Sequence, residues 1–161
     1  MNETQARAEI CRVGQSLFSR GYVHATAGNI SVRVDEAEGD GLVMTPTDAC
    51  LGFLDPARLS RIDARGRQTG GYKVSKILAL HRTIYATARA FDPATACAID
   101  THSTHCVAAS LDATGSELLP ALTPCLIMKV GHVPLIPYQR PGSGAGATRI
   151  CGSGWCLRWA L

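Results

Sequence analysis

The strongest chemical cluster in the chain is Asp100-x-His102-x-x-His105. A carboxylate and two imidazoles are ligands for a divalent cation, and alternate residues of an extended segment project to one face, where they can grip one ion. The same spacing also fits histidines that hydrogen-bond inside a core or face solvent. A second group is small and polar: Thr26-Ala27-Gly28-Asn29, Thr45-Pro46-Thr47 and Ser75-Lys76. Hydroxyls, backbone N–H groups at segment ends and a lysine make a phosphate cradle if they converge. Taken singly, each is also an ordinary cap or turn, for which Ser, Thr, Asn and Gly are the usual residues.

The elements that must position these groups are read from periodicity. Residues 4–20 carry Ile10, Val13, Leu17 and Phe18 at helical spacing, with Asn2 as a cap and Gly21 as a stop. The loop containing Thr26 to Asn29 then leads into residues 30–34, whose alternation of apolar and polar side chains predicts a half-buried strand at a sheet edge. Residues 35–41 form a turn and residues 42–44 return as a strand. Asp55-Pro56 reads as a cap followed by proline at the first helical position. A second helix is expected from a Ser75 cap, with Ile77, Leu80, His81, Ile84 and Ala88 along one side. Residues 96–99 form a buried strand that delivers the Asp100 cluster, and a further helix runs through residues 106–111. Residues 133–138 are strand-like, although Pro134 and Pro137 confine them to an edge.

Composition limits the classes. With 161 residues and 46% hydrophobic side chains, there is material for one packed domain. The 16 basic against 13 acidic residues form no dense cationic run, so neither nucleic acid nor an anionic membrane is an expected partner. No apolar stretch reaches the length of a membrane span, and the polar start at Asn2, Glu3, Thr4 and Gln5 does not resemble a signal peptide, which places the chain in the cytoplasm. The seven cysteines are scattered apart from Cys151 and Cys156, so a disulfide framework is not expected, and a zinc or redox module built on them ranks last among the readings.

Gly28-Asn29-Ile30-Ser31, Met44-Thr45-Pro46-Thr47, Ser75-Lys76 with Leu80-His81, and Thr101-His102-Ser103-Thr104-His105 follow one another in the order of the class II aldolase/adducin family. The chain resembles that family from about residue 6 to Pro141. Leu122-Thr123-Pro124 followed by residues 128–138, together with Cys50-Leu51-Gly52 and Leu54-Asp55-Pro56, looks like its 3-oxo-tetronate 4-phosphate decarboxylase branch. The resemblance implies an α/β fold, a three-layer α/β/α sandwich around a mostly antiparallel sheet, in residues 1–141. It also implies a homotetramer and a phosphorylated sugar-acid substrate whose phosphate is held by Thr26, Gly28, Asn29, Thr47, Ser75 and Lys76. A divalent metal, commonly zinc, would be held by His102 and Asp100. It would stabilise the enediolate left when a carbon–carbon bond breaks by aldol cleavage or loss of carbon dioxide.

Several positions depart from the family pattern. Asp100 stands where the pattern begins its His-x-His pair, replacing an imidazole by a carboxylate that can also bind zinc. Ile77 stands where many members carry an acid/base glutamate, and it can neither move a proton nor bind a cation, which leaves the catalytic acid/base unassigned. Asp48 replaces the glycine that usually follows Thr-Pro-Thr. The third metal histidine belongs to an Asn-His-Gly type segment that residues 149–161 lack. A frameshift near Gly142 would account for that loss and for the irregular, Gly- and Cys-containing tail at residues 142–161. The expectation is therefore a decarboxylating lyase of reduced activity. The alternatives are a catalytically inactive, adducin-like or truncated relative and a sugar-phosphate aldolase. An uncovered sheet edge and a tendency to aggregate are also expected.

Overall fold

Asn2 opens the first helix with a reciprocal cap. Its side-chain oxygen accepts from Gln5 N at 2.8 Å while the Gln5 side chain accepts from Asn2 N at 3.2 Å, giving α1 (Glu3–Ser19) close to its expected bounds. The structure, a computed structural model, describes residues 1–34, 41–120, 122–129, 131 and 133–138. Ala6 and Ile10 are buried on α1, and Gly14 lets the helix approach the next layer, because a Cβ there would lie 2.7 Å from the Leu51 carbonyl oxygen.

Among the described residues five strands form one sheet: β1 (Asn29–Val34), β2 (Gly41–Met44), β3 (Ser60–Asp63), β4 (Gln68–Gly70) and β5 (Cys97–Asp100), in the order β4-β3-β2-β1-β5. Every neighbouring pair is antiparallel. Alternation along the strands splits the core in two. Ile30, Val32, Val34 and Val43 pack with Ala6 and Ile10 of α1, while Leu42, Met44, Ile62 and Ala98 pack with Tyr85 of α2 (Leu78–Phe91). One helix on each face of an antiparallel sheet is the expected three-layer arrangement.

The structure corrects several expectations. β1 is not a half-buried edge, because it lies between β2 and β5 and its Ser31 is fully buried beneath α2. Alternation of apolar and small polar residues cannot distinguish water from a polar contact inside a core. The second helix begins at Leu78 and not at a Ser75 cap; Ser75 sits in the preceding turn, where Leu78 N donates to its carbonyl oxygen. Residues 133–138 contribute only an isolated bridge between Glu117 and Pro134. β3, with the sequence Ser-Arg-Ile-Asp, and β4, with Gln-Thr-Gly, carry too few apolar residues to be recognised without their partners.

The strand expected at 96–99 forms as β5 but is not buried, since only its Ala98 lies in the core and Ile99 is exposed. The following expectations hold. Asp55 caps a single 3-10 turn (Pro56–Arg58) by accepting from Ala57 N at 2.9 Å. The helix expected after the Asp100 cluster is α3 (Thr104–Asp112), and α4 (Pro124–Lys129) follows without having been anticipated. Cys11, Cys50, Cys97, Cys106 and Cys125 are free thiols, whereas Cys151, Cys156, the turn at 35–40 and the tail at 142–161 lie outside the described residues. Among the described residues no helix is long and apolar enough to cross a membrane.

Candidate active site

β1 begins at Asn29, β2 ends at Met44 and β5 ends at Asp100, so antiparallel pairing brings these three points to one end of the sheet. Asn29 stands directly opposite Asp100, and Ser31 opposite Met44. Gly28 makes the junction possible. Its φ of +88° favours glycine, and a Cβ would meet the Asp100 carbonyl oxygen at 2.9 Å. Thr45 continues β2 past its last strand residue: its N–H donates to Ile30 O at 3.0 Å, and its hydroxyl accepts from Ile30 N at 3.1 Å and donates to Asn29 Oδ1 at 3.2 Å.

The Ser75-Lys76 loop reaches the same end through backbone pairing. Thr47 N donates to Lys73 O at 2.9 Å, and Pro46 bridges to Val74. Gln68 braces this loop, donating to Tyr72 O at 2.6 Å and accepting from Val74 N at 3.1 Å. The sequence gives no sign of this role, since a lone glutamine among polar residues carries no periodic signal. Ser75 is buried and Lys76 exposed, while Ile77 turns into the apolar cluster under α2. Asp48, exposed, takes the left-handed backbone (φ +57°) that a glycine would adopt freely, a conformation Asp tolerates better than most residues. Thr26 is exposed in a turn closed by Ala27 N donating to His24 O at 2.9 Å.

Of the metal candidates, the structure joins two. Asp100 Oδ2 lies 3.5 Å from His102 Nε2, and both side chains reach solvent. His105 is exposed in the first turn of α3. No group of three or more His, Cys, Asp or Glu side chains among the described residues is placed to hold an ion. A carboxylate oxygen and an imidazole nitrogen fit a divalent cation in type, and they supply two of the three protein ligands typical of a catalytic zinc.

Behind the candidate site lies a buried network. Tyr85 OH donates to Ser31 O at 2.8 Å, the Ser31 hydroxyl lies 2.8 Å from Tyr85 OH, and it lies 2.7 Å from His81 Nδ1. Burial pushes His81 down to about 4 and raises the Tyr85 phenol. In the sequence His81 is one residue of a helix face and part of the Leu80-His81 motif, and neither signals its contact with Ser31. Two cavities share no lining residue with the candidate site: a 450 Å³ groove bordered by Ile10, Ile30 and Ile99, and a 220 Å³ cleft bordered by Arg33, Asp63 and Arg82.

The chain is an antiparallel sheet between two helices, with its candidate polar residues gathered at one end. Residues 8–152 match the family model of the class II aldolase and adducin N-terminal domain, and the chain belongs to that family. A 3-oxo-tetronate 4-phosphate decarboxylase of Cupriavidus necator is 49% identical over 150 residues, covering 92% of this chain. The chain spans 65% of that relative's length. The crystal structure of YgbL from Escherichia coli superposes with a TM-score of 0.83 at 34% identity, covering 97% of this chain and 73% of that one. For L-fuculose-1-phosphate aldolase from Thermus thermophilus the TM-score is 0.74 at 25% identity, covering 95% and 72%.

Proposed function

We propose that this chain belongs to a carbon–carbon lyase that decarboxylates a phosphorylated sugar acid of the 3-oxo-tetronate 4-phosphate type. The observation that carries the reading is the convergence of Asn29, the Thr45–Thr47 turn, the Ser75-Lys76 loop and the Asp100–His102 pair at one end of the sheet. The identity to the Cupriavidus decarboxylase supports the choice of substrate.

In this reading Thr26, Gly28, Asn29, Thr47, Ser75 and Lys76 hold the phosphate, using backbone N–H groups, hydroxyls, an amide and one ammonium. Asp100 and His102 hold a divalent cation, with zinc as the first candidate. The cation supplies electrophilic stabilisation of the charge that develops beside a carbonyl as the carbon–carbon bond breaks. Ile77 offers no proton-transfer group at its position. Loss of carbon dioxide tolerates this better than aldol cleavage, which must first remove a hydroxyl proton. The working domain is residues 1–141, acting in the cytoplasm as a homo-oligomer without nucleic-acid or membrane partners.

Ile77 also favours a second reading, a non-catalytic relative that retains the cradle. Zinc titration separates the two. The lyase reading expects the purified chain to bind one zinc and His102→Ala to lose it, whereas absence of zinc in both with phosphate still bound supports the non-catalytic relative.

A further inference from the structure

Asn29 works as a phosphate ligand only if its amide nitrogen faces the ligand, and its neighbour decides which way the amide points. We propose that Thr45 is a positioning residue that locks the Asn29 side chain with Nδ2 toward the phosphate. The inference rests on the phosphate reading of Asn29.

Thr45 is fully buried. Its hydroxyl accepts from Ile30 N at 3.1 Å, completing the β1 ladder where β2 has no further strand residue. The single hydroxyl proton goes to Asn29 Oδ1 at 3.2 Å. Turning the amide over would replace that acceptor by an NH2 group and strand a buried O–H without a partner, which burial penalises. The oxygen of Asn29 is therefore taken up inside the protein, and both Nδ2 hydrogens are left for an external acceptor. Asn29 is half-buried, so that side of the amide is within reach of a ligand. A group that can only donate selects oxyanions, in keeping with a phosphate and against a cationic or purely donating ligand.

The test uses inorganic phosphate as the probe on the full chain, with Thr45→Val, Thr45→Ser, Asn29→Asp and the Thr45→Val/Asn29→Asp double variant. Thr45→Val keeps the shape and removes the hydroxyl; Thr45→Ser restores it. The expected result is phosphate affinity lowered about fivefold to tenfold in Thr45→Val, corresponding to one lost neutral hydrogen-bond contribution, near wild type in Thr45→Ser, and no lower in the double variant than in Asn29→Asp. Thr45→Val binding phosphate like the wild type while Asn29→Asp does not would overturn the proposal.

A second readout needs no ligand. The Asn29 side-chain NH2 signals, assigned by their absence in Asn29→Asp, should form one sharp pair in the wild type and Thr45→Ser, and should shift or broaden in Thr45→Val. Unchanged signals in Thr45→Val would refute the positioning role. If Thr45→Val does not fold, two NH2 populations in the wild type would refute it, and a single population preserved in Thr45→Ser would support it. Phosphate binding unaffected by Asn29→Asp would instead defeat the phosphate reading, leaving the amide signals to decide the orientation.

Discussion

His81 Nδ1 lies 2.7 Å from the Ser31 hydroxyl, a fully buried contact that ties α2 to the middle of the sheet. Because Tyr85 OH gives its proton to Ser31 O, the Ser31 hydroxyl donates to Tyr85 and accepts from His81 Nδ1–H. Burial favours the neutral imidazole, and in that form this arrangement places its proton on Nδ1. Its Nε2 is buried without a hydrogen-bond partner among the described residues. Protonating it would place both a charge and an unpaired N–H in the core.

This sets a pH dependence. The His81 value falls from 6.5 in the unfolded chain to about 4 in the folded one, so the unfolded state binds a proton first as pH drops. The stabilisation is fully present above pH 6.5 and is lost between there and pH 4, at about 1.4 kcal/mol per unit and ~3 kcal/mol in all. Urea midpoints across that interval should show the slope, and a His81→Gln chain should show it reduced by one proton.

Ser31→Ala removes the acceptor for His81 and the donor to Tyr85 together. The expected loss is about 1–3 kcal/mol at neutral pH, read from urea unfolding. A loss within about 0.3 kcal/mol of zero would mean that the network contributes nothing to holding α2 on the sheet.

Gly28→Ala forces a side chain into the left-handed backbone region and against the Asp100 carbonyl oxygen. A destabilisation of about 1–3 kcal/mol is expected. Phosphate and zinc affinity should fall together, because Gly28 borders both Asn29 and the end of β5. Titration of each ligand separately checks the coupling.

How much was legible in the sequence follows from where each signal originates. The α1 bounds were readable because the Asn2 cap and the Gly21 stop are local signals and Ile10, Val13 and Leu17 recur at helical spacing. The nearness of Asp100 and His102 is a local relation of two residues, although β5 ends at Asp100 and His102 lies in the loop beyond it. Ser31 misled, since its burial is imposed by His81 and Tyr85, 50 and 54 residues along the chain. β3 and β4 were hidden because their hydrogen-bond partners, not their side chains, make them strands. The Ser75 cap failed because the loop, pinned through Thr47 and Lys73, delays the helix to Leu78.

The measurement that tests the account most directly is release of carbon dioxide from a 3-oxo-tetronate 4-phosphate by the zinc-supplemented chain, compared with His102→Ala and Asn29→Asp. The account predicts turnover above the uncatalysed rate that His102→Ala abolishes and Asn29→Asp weakens chiefly through KM. No release from the wild-type chain, or release undiminished in His102→Ala, would contradict it.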